Sequence, residues 1–150
     1  ILGDFDLQPN EKGFSIATPY QDKAGSWSQK GWPFYSGKVS YKQEITIEKL
    51  PEENGEYILT FGDWKGSSAE LWVNGVLAEI VGWQTNANIA PHLKLGKNEI
   101  DFRITGSLKN TLGFHHKDLQ GWIDGPFSWN QSPEHQPPGK DYRFMEYGMD

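Results

Sequence analysis

The chain contains no cysteine among its 150 residues. Disulfide bonds, zinc–thiolate sites and thiol nucleophiles are therefore excluded together, while the cellular compartment stays open. Long hydrophobic runs are also missing, so the sequence predicts no membrane-spanning segment. There is no positively charged start followed by an apolar core, and we therefore expect a mature chain or an excised fragment.

Basic residues are few in this sequence. It has 14 Lys and Arg against 20 Asp and Glu, which gives a net charge of -6 at pH 7. The basic residues are scattered rather than gathered in a stripe that could neutralise phosphates. We therefore predict neither a nucleic-acid partner nor a membrane partner.

Helical periodicity is nearly absent, and alternation of apolar and polar residues takes its place. The clearest alternation runs from Val39 to Glu48. An Asn74-Gly75 pair separates two apolar segments, which is the strongest short-range signal of a β-hairpin. The remaining apolar or alternating segments are 3–7, 14–18, 56–61, 99–105 and 142–147. These segments amount to about eight strands, and they predict an all-β jelly-roll β-sandwich formed by one domain over residues 1–150.

Aromatic residues are abundant, at 14% of the chain. Trp32, Phe34 and Tyr35 stand together in a loop that is bounded by Gly31 and Gly37. Large flat side chains at the mouth of a strand offer contact area to sugar rings and to partner proteins. The alternative is that the same rings close one end of the β-sandwich.

A second aromatic signal is Trp83, which is followed by Gln84, Asn86 and Asn88. An indole ring beside amide groups is typical of sugar binding, because the ring stacks on the sugar and the amides bond its hydroxyls. The alternative is that Trp83 covers the core.

Short motifs follow one another through nearly the whole chain. They are Leu2-Gly3-Asp4-Phe5, Gly25-Ser26-Trp27, the segment 31–37, Ala69-Glu70-Leu71-Trp72-Val73-Asn74-Gly75, the segments 95–100 and 107–113, His115-His116, Gly125-Pro126-Phe127 and Tyr147-Gly148. In this order they resemble the galactose-binding-like jelly-roll domains of bacterial glycoside hydrolases, including family 2 sugar-binding domains and accessory modules of α-L-rhamnosidase-like enzymes. Such domains bind sugars, dock against other domains or serve as structural spacers, so the resemblance leaves the function to be argued from the site.

The predicted ligand site is a groove at the loop end of the sandwich. It comprises aromatic, amide and imidazole side chains, namely Trp32, Tyr35, Trp83, Asn110, His115, His116 and Trp122. Adjacent histidines on a regular strand point to opposite faces and cannot share one metal ion, so we predict no metal centre. The other possible roles of His115 and His116 are packing, hydrogen bonds within the loop, and contacts with sugar hydroxyls.

Acidic residues suggest two further roles, a calcium site and glycosidase catalysis. Asp4, Asp6 and Asp22 are candidates for a structural calcium ion, but no loop has the dense alternating acids of a dedicated site, so we predict no cofactor. A glycosidase needs two carboxyl groups roughly 5–10 Å apart, one of them with a raised pKa. The candidate acids are Asp63, Glu70, Asp124, Glu134 and Glu146. No two of them form such a pair in a recognisable sequence context, so we predict no autonomous catalysis.

We therefore predict a non-catalytic carbohydrate-binding accessory domain, excised from a larger polysaccharide-degrading glycoside hydrolase of a bacterium. The expected partners are a plant or microbial polysaccharide and the catalytic domain of the parent enzyme. The expected location is secreted, periplasmic or on the cell surface. The alternative is a structural or protein-docking β-sandwich domain without a sugar ligand, and the exposure of Trp32, Trp83 and Trp122 separates the two.

Overall fold

The computed structural model of the chain describes residues 4–21, 24–113 and 137–150. In these ranges the regular secondary structure is almost entirely β-strand, with antiparallel pairing, and the predicted all-β class is confirmed. The strands are β1 (Asp6–Asn10), β2 (Gly13–Ala17), β3 (Gly25–Ser26), β4 (Lys38–Ile47), β5 (Ile58–Thr60), β6 (Trp64–Lys65), β7 (Ser68–Val73), β8 (Val76–Val81), β9 (Asn86–Asn88), β10 (Gly96–Thr105) and β11 (Gly148–Met149). Eight of these eleven described strands are three or more residues long, in line with the expected count.

The chain divides into two compact units. One comprises residues 1–36 and 107–148, and the other comprises residues 37–106 and 149–150. The first contains a one-turn helix α1 (Lys109–Leu112) and a 3-10 helix η2 (Gly139–Asp141), and the second contains a 3-10 helix η1 (Ala90–His92). The prediction of one domain over residues 1–150 stays a prediction.

The unit of residues 37–106 is built on a four-stranded antiparallel sheet in the order β4-β10-β7-β8. Strand β10 pairs with β4 from Gly96 opposite Ile47 to Thr105 opposite Lys38. Because side chains alternate along each strand, one face of this sheet is apolar and buried. Its buried residues include Ala69, Leu71, Val73, Val81, Ile100, Phe102 and Ile104.

Aromatic rings extend this buried face. The ring of Phe61 lies 5.0 Å from the ring of Phe102, centre to centre, and the ring of Trp64 lies 6.1 Å from it. A short antiparallel pair, β5 with β9, adds buried Ala87. Trp64 is thus a packing residue of this unit, half-buried against Phe102.

The predicted hairpin between β7 and β8 is confirmed. Asn74 and Gly75 have φ angles of 52° and 79°, as a type I′ turn requires. The Asn74 side chain donates to His92 O at 2.9 Å and to Asn98 Oδ1 at 2.8 Å. Asn74 is therefore a structural residue, because its amide ties the turn to the start of β10.

Replacing Gly75 with valine is expected to lower the free energy of unfolding by about 1 kcal/mol or more, because a β-branched residue resists positive φ. No atom lies within 4 Å of the position that a Cβ would take, so the cost is backbone strain alone. Denaturant unfolding measures it. Gly75→Asn is the control and should cost less, since asparagine tolerates the left-handed region. Equal stability of the valine variant and the parent protein would contradict the turn assignment.

In the unit of residues 1–36 and 107–148, β1 and β2 form a hairpin from Asp6 opposite Ala17 to Asn10 opposite Gly13. Trp27 is fully buried at the centre of this unit, and its ring lies 5.6 Å from the ring of Tyr147. The Trp27 N–H also donates to Tyr147 O at 2.8 Å. The core here rests on aromatic rings rather than on a broad apolar sheet.

Two local predictions differ from the structure. The segment 142–147 was expected to be a strand, but it forms no strand, because the backbone of Met145 bonds to the side chain of Asn110 instead of to a neighbouring strand. The near absence of helical periodicity in the sequence also gave no sign of helix α1, which is only four residues long.

Candidate functional site

Trp32 and Tyr35 lie close together in their loop. Their ring centres lie 5.6 Å apart, and the Tyr35 N–H donates to Trp32 O at 3.2 Å. Trp32 is half-buried, because its N–H donates to Trp27 O at 2.9 Å and draws the loop onto the buried Trp27. Tyr35 is 41% exposed while its ring lies 6.0 Å from that of Trp27. This loop therefore combines a packing role with an accessible tyrosine.

Asn110 lies on helix α1 and is completely buried. Its Nδ2 donates to Met145 O at 2.8 Å, and its Oδ1 accepts from Met145 N at 2.8 Å. The NH2 group and the oxygen of this amide are thus both bonded to the backbone of Met145, and they take the place of a neighbouring strand. The structure shows Asn110 as a residue that holds the fold of its unit.

Helix α1 also positions the aromatic loop. The Thr111 hydroxyl donates to Phe34 O at 2.7 Å. The rings of Phe34, Phe14, Tyr142 and Phe144 form a cluster with mostly edge-to-face contacts, including 5.2 Å between Phe14 and Phe34. Edge-to-face pairs add stability beyond area burial, so this side of the loop is fixed.

Trp83 is 100% exposed at the turn that follows β8. The turn is held by the next side chain, because Gln84 Oε1 accepts from Gly82 N at 3.0 Å and Gln84 Nε2 donates to Ile80 O at 3.2 Å. The alternative that Trp83 covers the core is therefore wrong. Asn88 is engaged as well, since its Oδ1 accepts from Tyr57 N and from Ala90 N, both at 3.1 Å.

Exposed apolar side chains accompany Trp83 on the edge strand β8. Because Ala78 is the extra residue of a β-bulge, Leu77 and Ile80 lie opposite Trp72 and Glu70 on the outer face of the sheet. Leu77 and Ile80 are both exposed. Ile80 lies at the end of β8 next to the Trp83 turn, whereas Leu77 lies at the other end of the strand. Exposed apolar side chains of this kind mark a surface suited to binding.

The predicted groove as a whole stays a prediction. His115, His116 and Trp122 lie outside the described residues. Trp83 belongs to the other compact unit from Trp32 and Tyr35. The structure thus supports Trp32 with Tyr35 as one local pair and Trp83 as a separate exposed side chain.

The outer face of the four-stranded sheet contains a polar network that sequence reasoning missed. Glu70 Oε1 accepts from Lys38 Nζ at 2.6 Å, and Glu70 Oε2 accepts from Trp72 Nε1 at 2.9 Å. These hydrogen bonds, with that of Lys38 the larger, lower the pKa of Glu70. Glu70 and Trp72 share a face because side chains alternate along β7, but only strand register brings Lys38 to them.

The remaining acidic candidates belong to no cluster of metal ligands in residues 4–21, 24–113 and 137–150. No three histidine or carboxylate side chains in these ranges are grouped so that they hold a metal ion. Asp6 is buried and accepts a hydrogen bond from Tyr20 N, while Asp22, Asp124 and Glu134 lie outside the described residues. Within the same part of the chain, no helix is long and apolar enough to cross a membrane.

Comparison with known proteins shows that this chain resembles some solved structures in fold. No protein-family model matches the chain, and no curated protein matches it in sequence. Among solved structures, a rhamnosidase from Novosphingobium sp. PP1Y aligns with 89% of this chain at 18% identity, with a TM-score of 0.51. A β-D-glucuronidase from Dictyoglomus thermophilum aligns with 83% of this chain at 15% identity (TM-score 0.39), covering 22% of the enzyme. A β-glucuronidase from Bifidobacterium dentium, complexed with coumarin-3-O-glucuronide, aligns with 93% at 12% identity (TM-score 0.43), covering 27% of the enzyme.

All three structures are of glycoside hydrolases, and each is far longer than the chain described here. The chain spans 13% of the length of the rhamnosidase. At 18% identity the likeness is one of fold. This chain therefore adopts a β fold that occurs as a small segment of a rhamnosidase.

Proposed function

We propose that this chain is a non-catalytic carbohydrate-binding accessory domain of a glycoside hydrolase, of the galactose-binding-like jelly-roll type. The observation that carries the proposal is the complete exposure of Trp83 on a turn held by Gln84. The parent enzyme would be a secreted, periplasmic or cell-surface bacterial protein that acts on plant or microbial polysaccharide.

The exposed indole supports sugar binding for a physical reason. Apolar surface in contact with water gains roughly 25 cal/mol per Å² when it is covered, and the apolar face of a pyranose ring can cover an indole. The hydrogen bonds of Gln84 already order the turn, so binding loses little conformational freedom there. Stacking of about 1 kcal/mol with a few hydrogen bonds gives an affinity near millimolar, or about -4 kcal/mol.

The acids favour a non-catalytic role. A general acid in a glycosidase needs a raised pKa, whereas hydrogen bonds from Lys38 and Trp72 lower the pKa of Glu70. Glu146 Oε1 accepts from Gln29 Nε2 at 2.8 Å. Both carboxylates thus have structural partners, and we assign the chemistry to another part of the parent protein.

Replacing Trp83 with alanine is expected to weaken sugar binding by about three- to tenfold, the equivalent of one stacking contact. The measurement is a titration with galactose, rhamnose and pectic oligosaccharides, followed through amide and indole NMR signals. In the unsubstituted chain the Trp83 indole signal should move. The fold of the variant should be intact, because the side chain that is removed is fully exposed.

Leu95→Ala is the matched control, since Leu95 is another large exposed side chain of the same unit. It should leave the sugar affinity unchanged. If every signal stays in place with all sugars at tens of millimolar, sugar binding at Trp83 is refuted.

A second candidate, a domain that docks on a neighbouring protein surface, is favoured by the exposure of Leu77 and Ile80 on the strand that precedes this turn. A protein partner would cover Trp83 and these aliphatic side chains together, as hot-spot residues are covered in interfaces. The titration separates the two candidates, because a docking surface gives no shift with free sugars.

A further inference from the structure

The outer face of the four-stranded sheet holds one continuous chain of polar contacts across β4, β10 and β7. Register places Asp101 of β10 between Lys42 of β4 and Trp72 of β7. The guanidinium carbon of Arg103 lies 4.3 Å from the centre of the Trp72 ring. Arg103 Nε donates to Asp101 Oδ2 at 2.8 Å, which links the aromatic ring to a buried carboxylate.

Asp101 is the unusual member of this face. Its side chain is only 2% exposed, although it lies on the face opposite the apolar core. Arg103 bonds to Oδ2, and Lys42 Nζ lies 3.9 Å from the same oxygen, whereas Oδ1 is buried and has no hydrogen-bond partner among the described residues. A buried acceptor without a donor destabilises the folded state, and more so when it is charged, so a ligand that donates to Oδ1 would be stabilised here.

Arg103 supplies the complementary groups. A guanidinium has five N–H donors, and only Nε of Arg103 is bonded within the described part of the chain. Asp101 Oδ1 is therefore buried without a donor, while the terminal nitrogens of Arg103 have no protein partner among the described residues and can donate to a ligand. A hydroxyl group both donates and accepts, so a pair of neighbouring hydroxyls can bond to both residues.

The charge of the cluster selects a neutral ligand. Three cationic side chains, Lys38, Lys42 and Arg103, face three carboxylates, and the formal charges cancel; the carboxylates are Glu70, Glu99 and Asp101. An anionic sugar would gain no net attraction here, and it would place its own charge against a buried carboxylate.

We propose that Asp101, Arg103 and Trp72 form a carbohydrate-binding site on the outer face of the sheet, separate from Trp83. It takes a neutral sugar through two neighbouring hydroxyls, one donating to Asp101 Oδ1 and one accepting from Arg103. The proposal rests on the carbohydrate-binding function proposed above for the class of ligand, but it does not depend on Trp83.

Access to Asp101 requires one movement. The Lys42 side chain is 55% exposed, and its ammonium is too far from Asp101 Oδ2 for a hydrogen bond. Its close partner is Glu99 Oε1 at 3.0 Å, and displacing Lys42 costs little because exposed ion pairs contribute little to stability. Movement of this side chain would uncover the Asp101 carboxylate for the sugar hydroxyl.

The test is an NMR titration of the whole chain with galactose, with rhamnose and with galacturonate as the charged counterpart. The indole signal of Trp72 and the Nε signal of Arg103 should move with the neutral sugars and at least about fivefold less with galacturonate. Both should still move in Trp83→Ala. Arg103→Lys keeps the charge but loses the planar fork of donors, and it should weaken this binding by about tenfold or more.

Two further variants complete the design. Lys97→Ala removes an exposed ion pair with Glu44 on the same sheet face and should leave binding unchanged. Lys42→Ala should bind sugar as well as the unsubstituted chain or better. If Arg103→Lys fails to fold, Lys42→Ala replaces it as the test. Weaker binding in Lys42→Ala would then overturn the proposal.

Movement of Trp83 alone, with Trp72 and Arg103 silent, would overturn the sheet-face site and leave the proposed function standing. Silence of all three signals with every sugar would overturn both. Equal response to galactose and galacturonate would refute the selection of a neutral ligand.

Discussion

Replacing Trp27 with alanine is expected to lower the free energy of unfolding by about 3–5 kcal/mol, as truncation of a fully buried tryptophan does. Trp27 is 0% exposed, and its ring lies between those of Tyr147 and Tyr35. The loss would fall on the unit of residues 1–36 and 107–148. Denaturant unfolding, with hydrogen exchange of the Leu7 amide as a probe inside this unit, measures it.

Two variants test whether burial is the cause. Trp27→Phe should cost much less than alanine, since it keeps most of the apolar volume and removes an indole Nε1 that is buried without a partner among the described residues. Tyr35→Ala should also cost much less, because Tyr35 is partly exposed already. If alanine at Trp27 cost no more than alanine at Tyr35, the core assignment of this unit would be wrong.

Replacing Gly31 with alanine is expected to lower the free energy of unfolding by about 2–5 kcal/mol, from backbone strain together with overpacking. Gly31 has a φ of 91°, in the region that favours glycine. A methyl group there would overlap Cβ and Cγ of the buried Asp6. The backbones approach closely at this point, because Leu7 N–H donates to Gly31 O at 2.8 Å.

Gly75→Ala is the matched control for Gly31→Ala. Gly75 also has positive φ, but a methyl group there meets no atom within 4 Å. Its cost should be near 1 kcal/mol, the strain of the left-handed region alone. The difference between the two variants measures the collision with Asp6, and a difference of zero would show that Asp6 moves aside freely. Each variant is followed by hydrogen exchange within its own unit.

The candidate site was only partly predictable. Trp83 stood out in the sequence because an indole beside amides suits a sugar, but the sequence left its exposure open. The amide side chains have structural roles instead. Gln84 holds the turn, and Asn110 bonds to the backbone of Met145, 35 residues away. Such a partner cannot be identified from local sequence, since a buried amide and a ligand-binding amide have the same chemistry.

The sequence by itself determined the β class and the hairpin at Asn74-Gly75. Alternation sets which residues can share a face of a strand, and two positive φ angles set the turn, and both are local properties. Tertiary structure decided which strands are neighbours. Strand β10 lies between β4 and β7, and only this order brings Lys42, Trp72 and Asp101 together. Cross-strand contact and burial depend on residues far apart in the chain, so the outer-face cluster and the full exposure of Trp83 became visible only in the fold.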